Sequence, residues 1–182
     1  MTERTKVIDL LRITELLSGD IPEVVAIEQD SNPEPWTQEA FLEELLRPHS
    51  HLLVARAPQE FGEKVVGHLC FWLVADEVQI LNIAVDRAYR RRGIGRALLV
   101  YCLSFGSRKK ARKAVLEVRS SNSVAQRLYH ILGFRTVGKR RDYYGGLGEH
   151  AILMELSMAA EHVSDGHERW SRFHQTITTD RS

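Results

Sequence analysis

Residues Arg90 to Ala97 read R-R-R-G-I-G-R-A and follow the apolar run Ile80 to Val85. A strand feeding a glycine loop that opens a helix suits an anionic phosphate ligand. The first amides of a helix lack intrahelical partners, and that end carries partial positive charge. Gly93 and Gly95 let the backbone approach an anion without side-chain obstruction. Five arginines (87, 90, 91, 92 and 96) lie in the ten residues 87–96, and no acid does. Two other phosphate loops fail on spacing. The lysine and hydroxyl of G-x-x-x-x-G-K-[ST] are missing, and G-x-G-x-x-G/A meets Leu98 at its third small position. What remains is R-x-x-G-x-G on Arg90, Gly93 and Gly95. It is expected to cradle a phosphate ester on the amides of Arg91, Arg92, Gly93, Ile94, Gly95 and Arg96. A surface turn with solvated arginines is the competing reading.

Such a loop needs a sheet behind it. The periodicity predicts strands over 10–14, 51–56, 65–75, 78–85, 114–119, 134–144 and 150–156, and helices over 21–29, 38–46, 94–107 and 123–132. Residues 58–64 read as a turn region. Pro22 sits in the first turn of one helix, Thr37 can cap the next, and Gly133 closes the last. The order β-α-α-β-β-β-α-β-α-β-β indicates an α/β (α+β) domain, a central mixed sheet flanked by helices. Residues 1–157 form that domain. From 158 to 182 the chain is polar and aperiodic, and a disordered tail is expected.

Composition narrows the function. With 25 basic and 24 acidic residues the net charge is +1, so no general affinity for nucleic acid or membrane is implied. The two cysteines, Cys70 and Cys102, lie in apolar segments and read as buried small residues. No Cys/His spacing suggests a metal site. The N-terminus lacks a signal-peptide core and no apolar run nears about 18 residues, so a cytoplasmic location is the default expectation.

A second stretch joins the first: Leu116-Glu-Val-Arg-Ser-Ser-Asn122, then Ala125, Tyr129, Gly133 and Phe134 in N-x-x-A-x-x-x-Y-x-x-x-G-F. With the glycine loop, this resembles the acyl-coenzyme A site of the GNAT superfamily of N-acetyltransferases. Asn82 to Asp86, Leu116 to Arg119, Arg141 to Tyr144, Ala151 to Met154 and Pro35-Trp36 are most similar to its RimI branch, which acetylates the N-terminal alanine of a ribosomal protein. The resemblance spans residues 8 to 157. It implies the GNAT fold with a mostly antiparallel sheet, acetyl-CoA as cosubstrate, no metal, and a protein N-terminus as partner. Two positions depart from the pattern: Asp142 stands where Asn is usual, and His150 where an acid is usual.

The resemblance also implies roles. The edge of the strand Asn82 to Val85, and so Ile83, Ala84 and Val85, pairs with the amide-bearing arm of the coenzyme and donates to the thioester oxygen. Arg90 and its neighbours add charge. Glu117 is the candidate base. Alternation puts it with Val115 and Arg119 on one face of its strand, and an acid inside V-L-E-V needs a partner or a task; an ion pair at the sheet surface is the other reading. Tyr129 is the candidate acid and also contacts the coenzyme, against a plain core aromatic beside Leu128 and Leu132. Asn122 could bond the coenzyme arm, cap a helix, or both. Tyr143 and Tyr144, adjacent on a strand, should face opposite sides, one lining a peptide channel. Trp36 is assigned to the substrate side, with a loop anchor as the alternative. The basic run Arg108 to Lys113 could approach the coenzyme 3′-phosphate or a ribosomal partner, or be a solvated helix end.

The acceptor can be ranked by chemistry. An α-amine of pKa about 7.8 is roughly 15% neutral at pH 7, whereas a lysine amine near 10.4 is only about 0.04% neutral. A single carboxylate is adequate for the first. No activated Cys or Ser is evident, which favours direct attack in a ternary complex over an acyl-enzyme. An acetyltransferase for lysine or a small amine, and a non-catalytic CoA-binding module, are the alternatives.

Overall fold

The structure, a computed structural model, describes residues 10–144 and 149–158. The expected turn at 145–148, all but the first residue of the expected tail, and the side chain of Tyr144 lie outside what is described. The elements are β1 (Arg12–Glu15), a 3-10 turn, α1 (Ile21–Ser31), α2 (Gln38–Leu46), β2 (Ser50–Gln59), β3 (Gly62–Val74) and β4 (Glu77–Val85). A second 3-10 turn then leads to α3 (Ile94–Arg108), β5 (Lys113–Arg119), α4 (Ser123–Ile131), β6 (Arg135–Tyr144) and β7 (Glu149–Ser157). This is the expected order. The strands form one sheet, β1-β2-β3-β4-β5-β7-β6. Among the described strands only β4–β5 is parallel.

Helices cover both faces of the sheet, which explains the unbroken apolar runs. Along β2, Leu53, Ala55 and Ala57 join one core with Leu98, Leu99 and Leu103 of α3. Leu52 and Val54 join the other with Val24 and Ile27 of α1 and Phe41 of α2. Thr37 caps α2 as expected, its Oγ1 accepting from Ala40 N–H at 3.3 Å, and Gly133 takes φ +98° after α4. Cys70 and Cys102 are buried free thiols. No helix among the described residues is long and apolar enough to cross a membrane.

One expectation fails here. Residues 58–64 are not a turn region: Pro58 pairs with Glu63 and Gln59 with Gly62, leaving Glu60-Phe61 as the turn. Proline misled because it cannot donate to a ladder. β1 reaches only as far as Arg56, however, so among the described residues Pro58 has a strand on one side alone.

Gly106 is a point of close approach between α3 and the sheet. A Cβ there would collide with Val78 Cγ2. Glycine to alanine inside a helix normally stabilises by about 1 kcal/mol, but overpacking costs about 1–3 kcal/mol. Gly106→Ala is therefore expected to lower the urea unfolding midpoint. A raised midpoint would show that helix propensity outweighs the clash.

Candidate active site

The sheet splits between β4 and β5. Their parallel pairing runs from Glu77–Lys113 to Ile80–Leu116 and stops, although the strands continue to Val85 and Arg119. A bulge accompanies the split: Phe71 faces Ile80 and Cys70 faces Asn82, which leaves Leu81 as the extra residue. Beyond it, the β4 edge facing β5 pairs with no strand among the described residues. A cleft of about 260 Å³ opens there, and Trp36, Ile83, Glu117, Asn122 and Tyr129 all line it. Residues far apart in the chain thus share one cavity.

The glycine loop follows β4 directly. Gly93 is the N-cap of α3 with φ +86°, and no side chain caps that helix. Arg91 also has positive φ, +63°. Left-handed residues just before an uncapped helix start aim successive N–H groups into one concavity, as anion binding requires. A Cβ at Gly95 would make ordinary contacts with Leu128 and Val85 at 3.6 and 3.7 Å. The arginines divide. Arg90 donates to the Val85 carbonyl (3.0 Å) and to Ser31 Oγ (2.9 Å), tying the loop to β4 and α1. Arg92 lies over the Tyr89 ring.

Glu117 is on the half-exposed face of β5, as alternation required, with Ala114, Leu116 and Val118 buried behind it. Its Oε1 is 2.8 Å from Arg140 on β6. An ion pair and a place on the cleft therefore coexist. Tyr129 is 5% exposed and packs edge-on to Phe134, 5.8 Å between centroids. It is both a core aromatic and a wall of the cleft. Asn122 caps α4, its side chain accepting from Ala125 N–H at 3.1 Å. Trp36 packs on Phe41 and lines the cleft as well.

Of the two adjacent tyrosines, Tyr143 is not among the described residues that line the cleft; it is about half exposed beside Arg140, and the side chain of Tyr144 lies outside what is described. β6 is irregular between Arg140 and Tyr144, and Asp142 has φ +49°. The two residues that depart from the family pattern touch each other there, Asp142 N–H donating to His150 Nδ1 at 3.1 Å. The run Arg108 to Lys113 begins at the far end of α3, about 20 Å from the glycine loop at 1.5 Å per residue. Lys113, where β5 begins, pairs with Glu77 at 2.6 Å.

Sequence reasoning missed a buried polar group under the cleft. Glu28 on α1 is fully buried. Its Oε1 accepts from Asn32 Nδ2 (2.6 Å), Asn82 Nδ2 (2.9 Å) and Trp36 N–H (3.2 Å). Its Oε2 is 3.1 Å from His68 Nε2. Burial alone would push this carboxyl up, but the hydrogen bonds from His68 and Asn82 outweigh it and hold it below its ordinary value. Also missed was the pair Arg119–Glu34, 2.8 Å across the mouth of the cleft. One signal was available: Ile21, Val24, Ile27 and Glu28 share the buried face of α1, and an acid on an apolar stripe needs partners.

The chain is similar to known proteins over most of its length. The model of the acetyltransferase (GNAT) family matches residues 21–134. A putative ribosomal protein bS18-alanine N-acetyltransferase of Bacillus subtilis is 39% identical over 140 residues, 76% of this chain and 90% of that one. The ribosomal protein bS18-alanine N-acetyltransferase of Escherichia coli is 32% identical over 149 residues, 81% of this chain and 97% of that one. A crystal structure of the ribosomal-protein-S18-alanine N-acetyltransferase from Escherichia coli superposes with TM-score 0.73 at 34% identity, covering 84% of this chain and 97% of that one. Arabidopsis thaliana NAA60 in complex with acetyl-CoA shares the fold at 21% identity, with TM-score 0.72 over 81% of this chain and 98% of that one.

Proposed function

The chain belongs to the GNAT acetyltransferase family, and from that premise we propose that it is an acetyl-CoA-dependent protein N-α-acetyltransferase. Its proposed acceptor is the N-terminal alanine of a ribosomal protein, which implies action in the cytoplasm. The observation that carries this reading is the shared cleft: Glu117, Asn122 and Tyr129 line one cavity with Ile83 at the split edge of β4. The acceptor class draws support from the relatives named for bS18-alanine acetylation. Fit for the coenzyme is supported by the uncapped start of α3 and the open edge of β4.

Bound acetyl-CoA supplies a thioester carbonyl to be attacked and a thiolate to leave. The chain's residues do the rest. Amides from Arg91 to Arg96 hold the pyrophosphate. The edge Ile83, Ala84 and Val85 pairs with the coenzyme arm and donates to the thioester oxygen, and Asn122 steadies the arm. The Glu117 carboxylate takes the proton that the attacking amine sheds and later returns it to solvent. Tyr129 Oη gives its proton to the departing sulfur and recovers one from solvent. A phenol of pKa about 10 can protonate a thiolate of pKa about 8.5 at modest cost. Trp36 closes the acceptor side. The cleft lining carries the carboxylates of Glu28, Glu34 and Glu117 against the single cation Arg119, which suits an acceptor arriving as an ammonium ion.

The test compares two peptides of otherwise identical sequence, one with a free N-terminal alanine and one N-blocked with an internal lysine. Neutral-amine population alone favours the first by several hundredfold, on the order of 15% against 0.04%. Acetylation of the alanine peptide, with little of the lysine peptide, is expected. Preference for the lysine peptide would overturn the acceptor class. Binding of acetyl-CoA without turnover of either would support a non-catalytic module.

A further inference from the structure

Glu28 is costly where it stands. A fully buried carboxylate is destabilising unless its charge is answered, and an ion pair is not a requirement of good packing. The rest of that helix face is apolar, with Ile21, Val24 and Ile27 buried, so a leucine would satisfy the core. What a leucine could not do is join two walls. Asn32 and Trp36 belong to the irregular segment between α1 and α2, which forms the acceptor side of the cleft. Asn82 belongs to β4 and immediately precedes the edge Ile83–Val85 on the donor side. All three donate to one oxygen, Glu28 Oε1. The other oxygen is held by His68 from β3.

The segment 32–37 has little else of that quality. The Arg119–Glu34 pair links it to β5, but Glu34 is 61% exposed, and exposed pairs contribute about 1 kcal/mol or less. Direct attack demands reacting atoms about 3–3.5 Å apart, and an error of about 1 Å costs on the order of 10²-fold.

We infer that Glu28 is a positioning residue for acetyl transfer, registering the acceptor wall at Asn32 and Trp36 on the donor strand at Asn82. This rests on the acetyltransferase reading of the cleft. His68 completes the device. Facing an ionised carboxylate, its Nε2 carries the proton and donates, while Nδ1 is buried without a hydrogen-bond partner. Glutamine is the closest replacement for Glu28. Its oxygen would keep the three donors that join the two walls, and only the contact with His68 would change.

Kinetics give the first test. Glu28→Ala should lower kcat by about 10- to 100-fold while acetyl-CoA affinity stays within about threefold, and Glu28→Gln should recover most of the loss. If Glu28→Ala does not fold, Asn32→Ala, at a half-buried position, cuts one link and should still lower kcat by about 3- to 10-fold. A second readout needs no acceptor. Saturating acetyl-CoA should slow hydrogen exchange of the Trp36 amide, which donates to Glu28, in the wild type but not in Asn82→Ala. A protein that acetylates neither peptide but keeps this Trp36 response loses the proposed function and not the inference. Wild-type kcat in folded Glu28→Ala or Asn32→Ala, or a Trp36 amide indifferent to acetyl-CoA, overturns the inference.

Discussion

Tyr129→Phe is expected to lower kcat by roughly 10²- to 10⁴-fold, the usual scale for a lost general acid. Acetyl-CoA affinity should change little. The residue suits a clean experiment because its ring is already a packing element: it is 5% exposed and set edge-on to Phe134. Phenylalanine preserves that contact and opens no cavity. Removing one hydroxyl also removes its hydrogen bonding, worth about 0.5–1.5 kcal/mol of stability, which a melting curve will report separately from kcat. The alanine peptide is the right acceptor for the assay. Turnover at the wild-type rate would remove Tyr129 from the chemistry and leave it a core aromatic that happens to border the cleft.

How far the sequence reaches depends on whether a feature is local. The bounds of α2 follow from Thr37 before it and Pro48 after it, and both act within a turn. The glycine loop is legible because Gly93 needs φ +86° where a helix begins. The alternation of β5 correctly turns Glu117 away from the core. Illegible features depend on register or tertiary approach. Nothing near Glu117 announces Arg140, because that contact reaches across β7 to a strand with two register shifts. Glu28 reads as an ordinary helix acid until β3 and β4 bring His68 and Asn82 against it.

Glu117→Gln should have an effect that depends on pH. In the wild type the carboxylate accepts the amine proton, so turnover does not wait for an amine that is already neutral. Glutamine cannot accept it, and only the spontaneously neutral fraction of acceptor can then react. That fraction is roughly 15% at pH 7 for an α-amine of pKa about 7.8, and it falls tenfold for each unit below. The loss in kcat should therefore be greatest at low pH, on the order of 10²- to 10⁴-fold, and should shrink as pH rises past the acceptor pKa. The ion pair with Arg140 supplies the control. Glu117→Gln also strips that guanidinium of its partner, whereas Arg140→Gln removes the cation and leaves the base in place. If Glu117 acts as the base, Arg140→Gln should show a smaller loss with no recovery at high pH. A uniform loss across pH in Glu117→Gln, accompanied by a raised peptide KM, would mean that Glu117 binds the acceptor through its charge and that the proton leaves by another route.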